Sequence, residues 1–297
     1  AIIKLINKVK FKNHMIEPFL VILALIWLVF ASVSDIKTHE VPDWLSYSLI
    51  IIGFTNATFK AILFSNVSYI FYSLFTFSLF FLLASLMYYT KQWGGGDVKL
   101  LVGLVTLFPV YPESLLNYFN PNLDLPFILI LVINIILFGS LYSLVYGGYL
   151  LMKNEVNLVN EIKKYKINKF YILMPLLFLF ITFLIQDIIL RLLLLSFATL
   201  ILIGPILLMY VKIIESKCMF KKILINKVTE GDWITENIYY KGKLIYNKNS
   251  PGITDHEINL LEKIKIKYVI IKEGIPFVPS FLLAFLVSII FGNLFRI

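Results

Sequence analysis

Long apolar runs separated by short polar segments dominate the chain. A run of about 20 apolar residues is enough to cross the hydrocarbon layer of a bilayer. The fourth run is weak because Pro109 and Pro112 interrupt it, and Asp187 and Arg191 predict a turn between the sixth run and the seventh. The pattern predicts an all-α polytopic membrane protein of about eight transmembrane helices, at residues 16–34, 44–64, 68–90, 97–116, 126–152, 169–186, 191–213 and 275–295.

Residues 214–274 depart from this pattern and have the character of a soluble domain. A glycine turn between Tyr240 and Leu244, flanked by β-forming residues, predicts a hairpin. Thr254 and Glu257, ahead of spaced apolar residues, predict a capping box that opens a short amphipathic helix. The sequence therefore predicts a small α+β domain inserted before the last helix, with a hairpin over 233–246, a helix from 254 and a strand over 267–271.

Composition supports the membrane class and narrows the chemistry. Hydrophobic residues make up 59% of the 297 and charged residues 15%, and the mean hydropathy of +0.85 excludes an ordinary soluble domain. Cys218 is the only cysteine, which excludes an internal disulfide framework, and the three histidines are scattered singly, so no metal site or cofactor is expected. The net charge of +9 comes from lysines between the apolar runs, which favours membrane orientation over nucleic-acid binding.

Lysine-rich loops predict how the chain is threaded through the bilayer. Segments 153–169 and 212–227 carry five lysines each, and such loops stay in the cytoplasm. Counting spans from them makes the α+β domain cytoplasmic and puts both termini outside. Residues 1–14 contradict this count, because their four lysines should stay inside. Either this segment is not native and the natural chain starts at Met15, or it is a basic amphipathic helix on the membrane surface.

Two polar islands each place one aspartate at the edge of an apolar run, on the predicted cytoplasmic face. Asp35 lies in the segment 34–43, and Asp97 follows the glycines at 94–96. Carboxylates at such positions are costly, so a pair of them predicts a shared functional site. Two adjacent carboxylates do not both ionise cheaply, so one acts as a base toward water while the other, protonated, polarises a carbonyl group. An aspartyl protease site in a membrane has this form.

Neighbouring residues in the islands also have candidate roles. Gly94 and Gly96 remove side chains beside Asp97 and allow positive φ, so a substrate backbone can approach closely. Each aspartate has a simpler interpretation as well, with Asp97 as the cap of the fourth span and Asp35 as the start of an interfacial loop. Simple structural roles are likewise expected for three charged residues, as interfacial anchors at Lys37 and Lys99 and as the cap of the second span at Asp43.

The two islands together resemble the signature motifs of a protease family. Asp35 with the later Val41-Pro42-Asp43, and the run from Gly94 to Leu101, are similar to motifs of type IV prepilin peptidases and archaeal preflagellin peptidases, the GxGD membrane aspartyl proteases. The resemblance implies that Asp35 and Asp97 are catalytic and that no cofactor is required. Candidate substrate contacts are Lys99, Asp43 and Glu40.

The resemblance also implies a class of substrate and a domain organisation for the chain. The expected substrate is a prepilin or preflagellin with a short basic leader and a hydrophobic helix, cut at the cytoplasmic face of the cell membrane. One cysteine cannot form the zinc site of the large bacterial amino-terminal domain, so the chain is similar to archaeal members, and Glu273 to Pro279 resembles the longer, prepilin-type ones. The expected parts are a basic N-terminal extension at 1–14, a membrane aspartyl protease domain at 15–213, a cytoplasmic α+β domain at 214–274 and a transmembrane helix at 275–297.

Several alternatives stay open on the sequence. A preflagellin peptidase of the same family differs in its substrate. A presenilin-like protease shares the glycine-aspartate motif, but Asp35 follows Ser34 where that family has tyrosine, and no Pro-Ala-Leu occurs. An ion-coupled transporter with a carboxylate pair predicts inverted repeats, and none is convincing. A pilus assembly platform with a degenerate site is the remaining, non-enzymatic alternative.

Overall fold

The computed structural model describes residues 2–165 and 170–295, and the side chains of these residues except 2–15 and 172. The expectation that residues 1–14 lie on the membrane surface or are not native concerns side chains that the structure does not describe. In chain order the helices are α1 Ile2–Thr38, α2 Asp43–Leu63, α3 Ser68–Tyr89, α4 Gly95–Leu107, α5 Phe127–Lys153, α6 Leu158–Ile162, α7 Phe170–Leu184, α8 Ile188–Ile214, α9 Asp255–Lys263 and α10 Val278–Ile290.

The described helices confirm a mostly helical, multi-pass architecture, since a helix lies at each of the eight predicted positions. Five stretches are long and apolar enough to cross a membrane, and two shorter apolar helices accompany them. The number of spans therefore stays a prediction. The five are Ile16–Thr38, Asp43–Leu63, Ser68–Tyr89, Phe127–Lys153 and Ile188–Met219, and the two are Leu173–Leu184 and Val278–Ile290.

Helix α4 is shorter than the predicted fourth span and is largely buried. It ends at Leu107, and Pro109 and Pro112 lead into a 3₁₀ turn at Glu113–Asn117. Proline cannot continue a helix, because it lacks the N–H and its ring clashes with the preceding turn. The predicted range 97–116 is therefore wrong at its carboxyl end, although the interruption by the prolines is confirmed.

Close backbone contact holds α4 against α2. A Cβ added at Gly53 of α2 would lie 2.8 Å from the carbonyl carbon of Thr106, and one at Gly103 of α4 would lie 3.0 Å from the Cβ of Leu49. Helices approach this closely only where a side chain is missing from the interface. The two glycines thus fix the position of α4, whose first turn carries Asp97.

Helix α10 lies in the interior of the membrane part, packed against α1 and α5. Phe281 and Phe285 are fully buried, and the Asn134 amide of α5 donates to Ser288 Oγ at 2.8 Å. The hydroxyl of Tyr111 donates to the carbonyl of Ile289 at 2.8 Å. The chain therefore returns to the centre of the helical bundle after the inserted domain.

The inserted α+β domain has its own hydrophobic core and two small sheets. Strands β1 Phe220–Leu224, β5 Tyr268–Lys272 and β2 Trp233–Ile234 form one antiparallel sheet in the order β1-β5-β2. Strands β3 Ile238–Tyr240 and β4 Lys243–Tyr246 form the other, which is the predicted hairpin. Strand β1 was not predicted, and β2 and β3 were predicted as one strand, whereas the structure places them in different sheets.

Local signals in this domain are confirmed. Thr254 Oγ1 accepts the Glu257 N–H at 3.3 Å, and the Glu257 carboxylate accepts the Thr254 N–H at 2.8 Å, so the capping box opens α9. Lys241 and Gly242 both have positive φ in the hairpin turn, as a tight two-residue turn requires.

The predicted turn between α7 and α8, in the membrane part, is also confirmed, since Asp187 caps α8 through the Leu190 N–H at 2.9 Å.

Candidate active site

Asp35 lies in the last turn of α1, and its carboxylate is buried against the start of α10. The residue is 7% exposed, and Oδ2 accepts the backbone N–H of Val278 at 2.9 Å. The backbone N–H of Phe277 also interacts with this carboxylate, and the His39 side chain lies close enough for an electrostatic contact. A buried carboxylate needs such partners, because an unpaired charge in the interior is costly.

Asp97 is the third residue of α4 and lies beside Asp35. Its Oδ2 accepts the N–H of Gly94, the residue before the helix, at 3.1 Å. The predicted capping contact of Asp97 is thus present. The charge of Asp35 also repels that of Asp97, so the two aspartates of the two motifs share one site. Neighbouring carboxylates of this kind do not both ionise readily, which makes the pair suited to hold one proton between them.

The two sequence motifs touch through Gly96. A Cβ added at Gly96 would lie 3.0 Å from the Cβ and Cγ2 of Val41, which belongs to the first motif. Gly94 has φ of −71°, and Gly96 is not among the residues with positive φ. The expectation that these glycines serve a left-handed backbone is therefore wrong. Gly96 instead lets the chain after Asp35 pack against the turn before Asp97.

Lys99 and Asp43 pair with each other. Lys99 Nζ lies 2.6 Å from Asp43 Oδ1, and it also sits 5.6 Å from the centre of the Tyr47 ring. Asp43 was predicted to cap the second span, but Pro42 is the N-cap of α2 and no side chain caps that helix. The pair joins the first turns of α2 and α4, and both side chains remain partly exposed beside the site.

The inserted domain meets the membrane part near the two aspartates. His39 Nε2 lies 3.6 Å from a carboxylate oxygen of Glu273, which also pairs with Lys221 of β1. The Lys91 ammonium donates to the Lys248 carbonyl at 2.8 Å. The His39–Glu273 and Lys91–Lys248 contacts place the inserted domain beside the segments that carry the two aspartates. Glu40 is exposed, and its charge repels that of Asp232 of the inserted domain.

Burial affects the titration of one acidic group in the inserted domain. Desolvation raises the pKa of the Asp232 carboxyl, and the nearby charges of Glu40 and Glu273 raise it further. A hydrogen bond from the Thr229 N–H, at 2.9 Å, opposes this shift. Burial thus makes the Asp232 carboxyl less readily ionised, in a region where Glu273 is paired with Lys221.

Sequence analysis missed the groups that other elements bring to Asp35. The N–H of Val278 is one, and the side chains of Tyr142 and Tyr146 on α5, which interact electrostatically with Asp35, are two more. The tyrosine rings stack at 5.7 Å, as their spacing of four residues allows. In the sequence, only the spacing of the two tyrosines and the prolines near Phe277 distinguish these segments. Neither feature indicates that they contact Asp35.

Fold and site together define a multi-pass membrane protein with a buried carboxylate, Asp35, beside a half-buried one, Asp97, an arrangement suited to acid-base catalysis. Residues 22–147 match the type IV leader peptidase family. The matched residues include both motifs, and they confirm the resemblance predicted from the sequence.

Archaeal proteins are among the similar curated proteins. The chain is 30% identical over 183 residues to a prepilin peptidase, EppA, of Methanothermobacter thermautotrophicus, an alignment that covers 58% of this chain and 47% of that protein. It is 28% identical over 152 residues to a preflagellin peptidase of Methanococcus voltae, covering 51% and 63%. The chain thus spans about half the length of the first relative and less than two thirds of the second. No solved structure matches it significantly.

Proposed function

We propose that the protein is a membrane-embedded aspartic endopeptidase that removes the short basic leader of type IV prepilin-like proteins at the cytoplasmic face of the membrane. The observation that carries this proposal is the shared site of Asp35 and Asp97, which come from two separate motifs within the family-matched residues. We infer a prepilin over a preflagellin substrate from the resemblance of Glu273 to Pro279 to the longer, prepilin-type members, and relatives of both names match the chain.

The proposed reaction uses one ionised and one protonated aspartate. The ionised carboxylate takes a proton from water, whose oxygen bonds to the scissile carbonyl carbon, while the acid gives its proton to the carbonyl oxygen. The resulting gem-diol collapses, the C–N bond breaks, and the leaving nitrogen takes the proton held by the first carboxyl. The second carboxyl recovers its proton from the diol. No proton or electron is left over, and no cofactor is required.

The substrate's parts fit the proposed surroundings of the site. Its hydrophobic helix would lie among the apolar spans, with the basic leader emerging beside the aspartates. Exposed Glu40 and the nearby Asp232 of the inserted domain offer carboxylates for pairing with a basic leader. The proposed parts remain 15–213 and 275–297 for the membrane body and 214–274 for the inserted domain. Separate hydrophobic clusters in the membrane body and in the inserted domain support that division, and a third, small cluster joins the two parts around Ile213 and Cys218.

Co-expression with a prepilin that carries a basic leader tests this function directly. Loss of the leader shifts the prepilin on a gel, and sequencing the new amino terminus locates the cut. A preflagellin substrate, expressed in parallel, tests the alternative within the family. If neither substrate is cut by well-folded enzyme in membranes, the proposed activity is wrong.

The Asp43–Lys99 pair gives a prediction of modest size. We expect Asp43→Ala and Lys99→Ala each to retain cleavage, with a loss of about tenfold or less, because a partly exposed ion pair contributes only about 1 kcal/mol. The exchange Asp43→Lys with Lys99→Asp should restore much of this loss, since it rebuilds the pair in reverse. If either alanine variant is as inactive as an aspartate variant, that side chain contacts substrate directly.

Topology gives a further prediction, which rests on the lysine-rich loops. In a Cys218→Ser background, Asn160→Cys and Glu236→Cys should react with an impermeant maleimide only from the cytoplasmic side, and Asn120→Cys only from outside. All three positions are exposed, so access depends on the membrane and not on burial. Labelling of Asn160→Cys or Glu236→Cys from outside would place the aspartates on the face opposite to a cytoplasmic leader.

A further inference from the structure

The start of α10 belongs to the active site. Given the proposed function, we propose that the backbone N–H groups of Phe277 and Val278 hold Asp35 as the ionised carboxylate, the base that activates water, and leave Asp97 to carry the proton. The chain would then need its carboxyl-terminal helix for catalysis, although this helix lies outside the family-matched residues 22–147.

The contact itself is buried and well aligned. Val278 is fully buried, and its N–H donates to Asp35 Oδ2 at 2.9 Å across 243 residues of sequence. Val278 is the first residue of a 13-residue helix. The first N–H groups of a helix have no partner within it, and its amino end carries partial positive charge, so a carboxylate is favoured there.

The local environment of Asp35 would otherwise oppose ionisation. Asp35 lies in the last turn of α1, where the free carbonyl groups and the negative end of the helix dipole disfavour a carboxylate. The amino end of α10 has the opposite polarity and meets the carboxylate directly. The amino end of α10 thus offsets the unfavourable electrostatic effect of the carboxyl end of α1 on the Asp35 carboxylate.

The other groups around the pair favour the same assignment. The titratable groups that face Asp35 are His39 after α1, Asp97 on α4, and Tyr142 and Tyr146 on α5, while α10 contributes backbone N–H groups. Of these, His39 is the one able to carry positive charge. Asp97 also lies at the amino end of a helix, in the first turn of α4, but it accepts a single backbone N–H, that of Gly94, so it has fewer donors to stabilise a negative charge.

The Phe277 side chain fixes the position of these N–H groups. Its ring packs 5.8 Å from Trp93 and 5.7 Å from Phe281, centre to centre. On its remaining side it fills the space left by Gly139 on α5, where an added Cβ would overlap the ring carbon Cζ. An aromatic ring enclosed in this way cannot turn aside, so a side chain at position 139 must displace Phe277.

Gly139→Ala tests the proposal without altering any group that touches substrate. We expect kcat to fall about 100-fold with KM nearly unchanged, because a small displacement of a catalytic group has an effect of this size. The acidic limb of the pH profile should move to higher pH, since an ionised base that loses its donors protonates more readily. Gly204→Ala on α8 is the matched control, because no atom lies within 4 Å of the Cβ it would add.

A compensating variant separates displacement from misfolding. In the Gly139→Ala background, Phe277→Leu removes the ring and should recover at least about tenfold of the lost activity. If Gly139→Ala does not accumulate as folded protein, Phe277→Ala alone should produce the same fall in kcat and the same pH shift, because it frees the start of α10.

Distinct outcomes overturn the proposal. Gly139→Ala and Phe277→Ala with the activity and pH profile of Gly204→Ala would remove α10 from the mechanism. Movement of the basic limb in place of the acidic limb would make Asp35 the protonated partner, contrary to our assignment. Failure of the unaltered enzyme to cut the prepilin would instead refute the proposed function, so the two failures are distinguishable.

Discussion

Asp35→Asn and Asp97→Asn should each abolish leader removal, with a loss of about 1,000-fold or more, while the protein remains folded in the membrane. Asparagine keeps the shape of the side chain but can neither take a proton from water nor give one to a carbonyl oxygen. The measurement is a time course of prepilin processing in membranes, with the amount of each variant matched by immunoblot.

The double variant sharpens this prediction. Asp35→Asn with Asp97→Asn should be no less active than either single variant, since the two residues act as a unit and the effects of such residues do not add. Asp43→Asn is the matched control, because it changes an aspartate of the same motif whose partner is Lys99. Retained cleavage by either folded single variant would remove that residue from the mechanism.

Local sequence patterns predicted the elements of this fold well. Apolar runs located the long helices because a membrane span requires length and low polarity in one continuous segment. The hairpin around Gly242 and the capping box at Thr254 were predicted because both depend on residues within a few positions of each other. By contrast, the pairing of Trp233 with Lys272 in the three-stranded sheet depends on the tertiary fold. No local pattern separates β2 from the hairpin strand that follows it.

The two aspartates that the structure brings together could be picked out from the sequence, whereas their surroundings could not. Asp35 and Asp97 were identified because acidic residues stand out in an apolar chain. Val278 contributes only a backbone N–H, which every residue except proline has, so its side chain gives no signal. The positive φ expected at Gly96 is absent, and the residue packs closely against Val41, because glycine serves both purposes and the sequence alone does not distinguish them. Close approach of a substrate backbone at Gly96 stays a prediction.

The buried ion pair of Glu17 and Lys60 gives a second large effect, on stability. We expect Lys60→Met to lower the free energy of unfolding by about 3 kcal/mol or more, because it leaves the buried Glu17 carboxylate without its cation. Glu17 is 4% exposed, its Oε1 lies 2.6 Å from Lys60 Nζ, and its Oε2 accepts the Ser114 N–H at 2.9 Å. The measurement is the thermal unfolding midpoint of purified protein in detergent.

Two comparisons make this prediction specific. Lys99→Met removes the cation of an exposed pair and should change the midpoint little, since such pairs contribute about 1 kcal/mol or less. Glu17→Gln combined with Lys60→Met should recover part of the loss, because no buried charge is then left unpaired. Glu17 and Asp35 are separated by about 27 Å along α1, so the folded fraction of Lys60→Met should cleave prepilin with unchanged kcat. A midpoint for Lys60→Met equal to that of Lys99→Met would mean that Glu17 does not depend on Lys60, and that the ion pair contributes no more in the interior than at the surface.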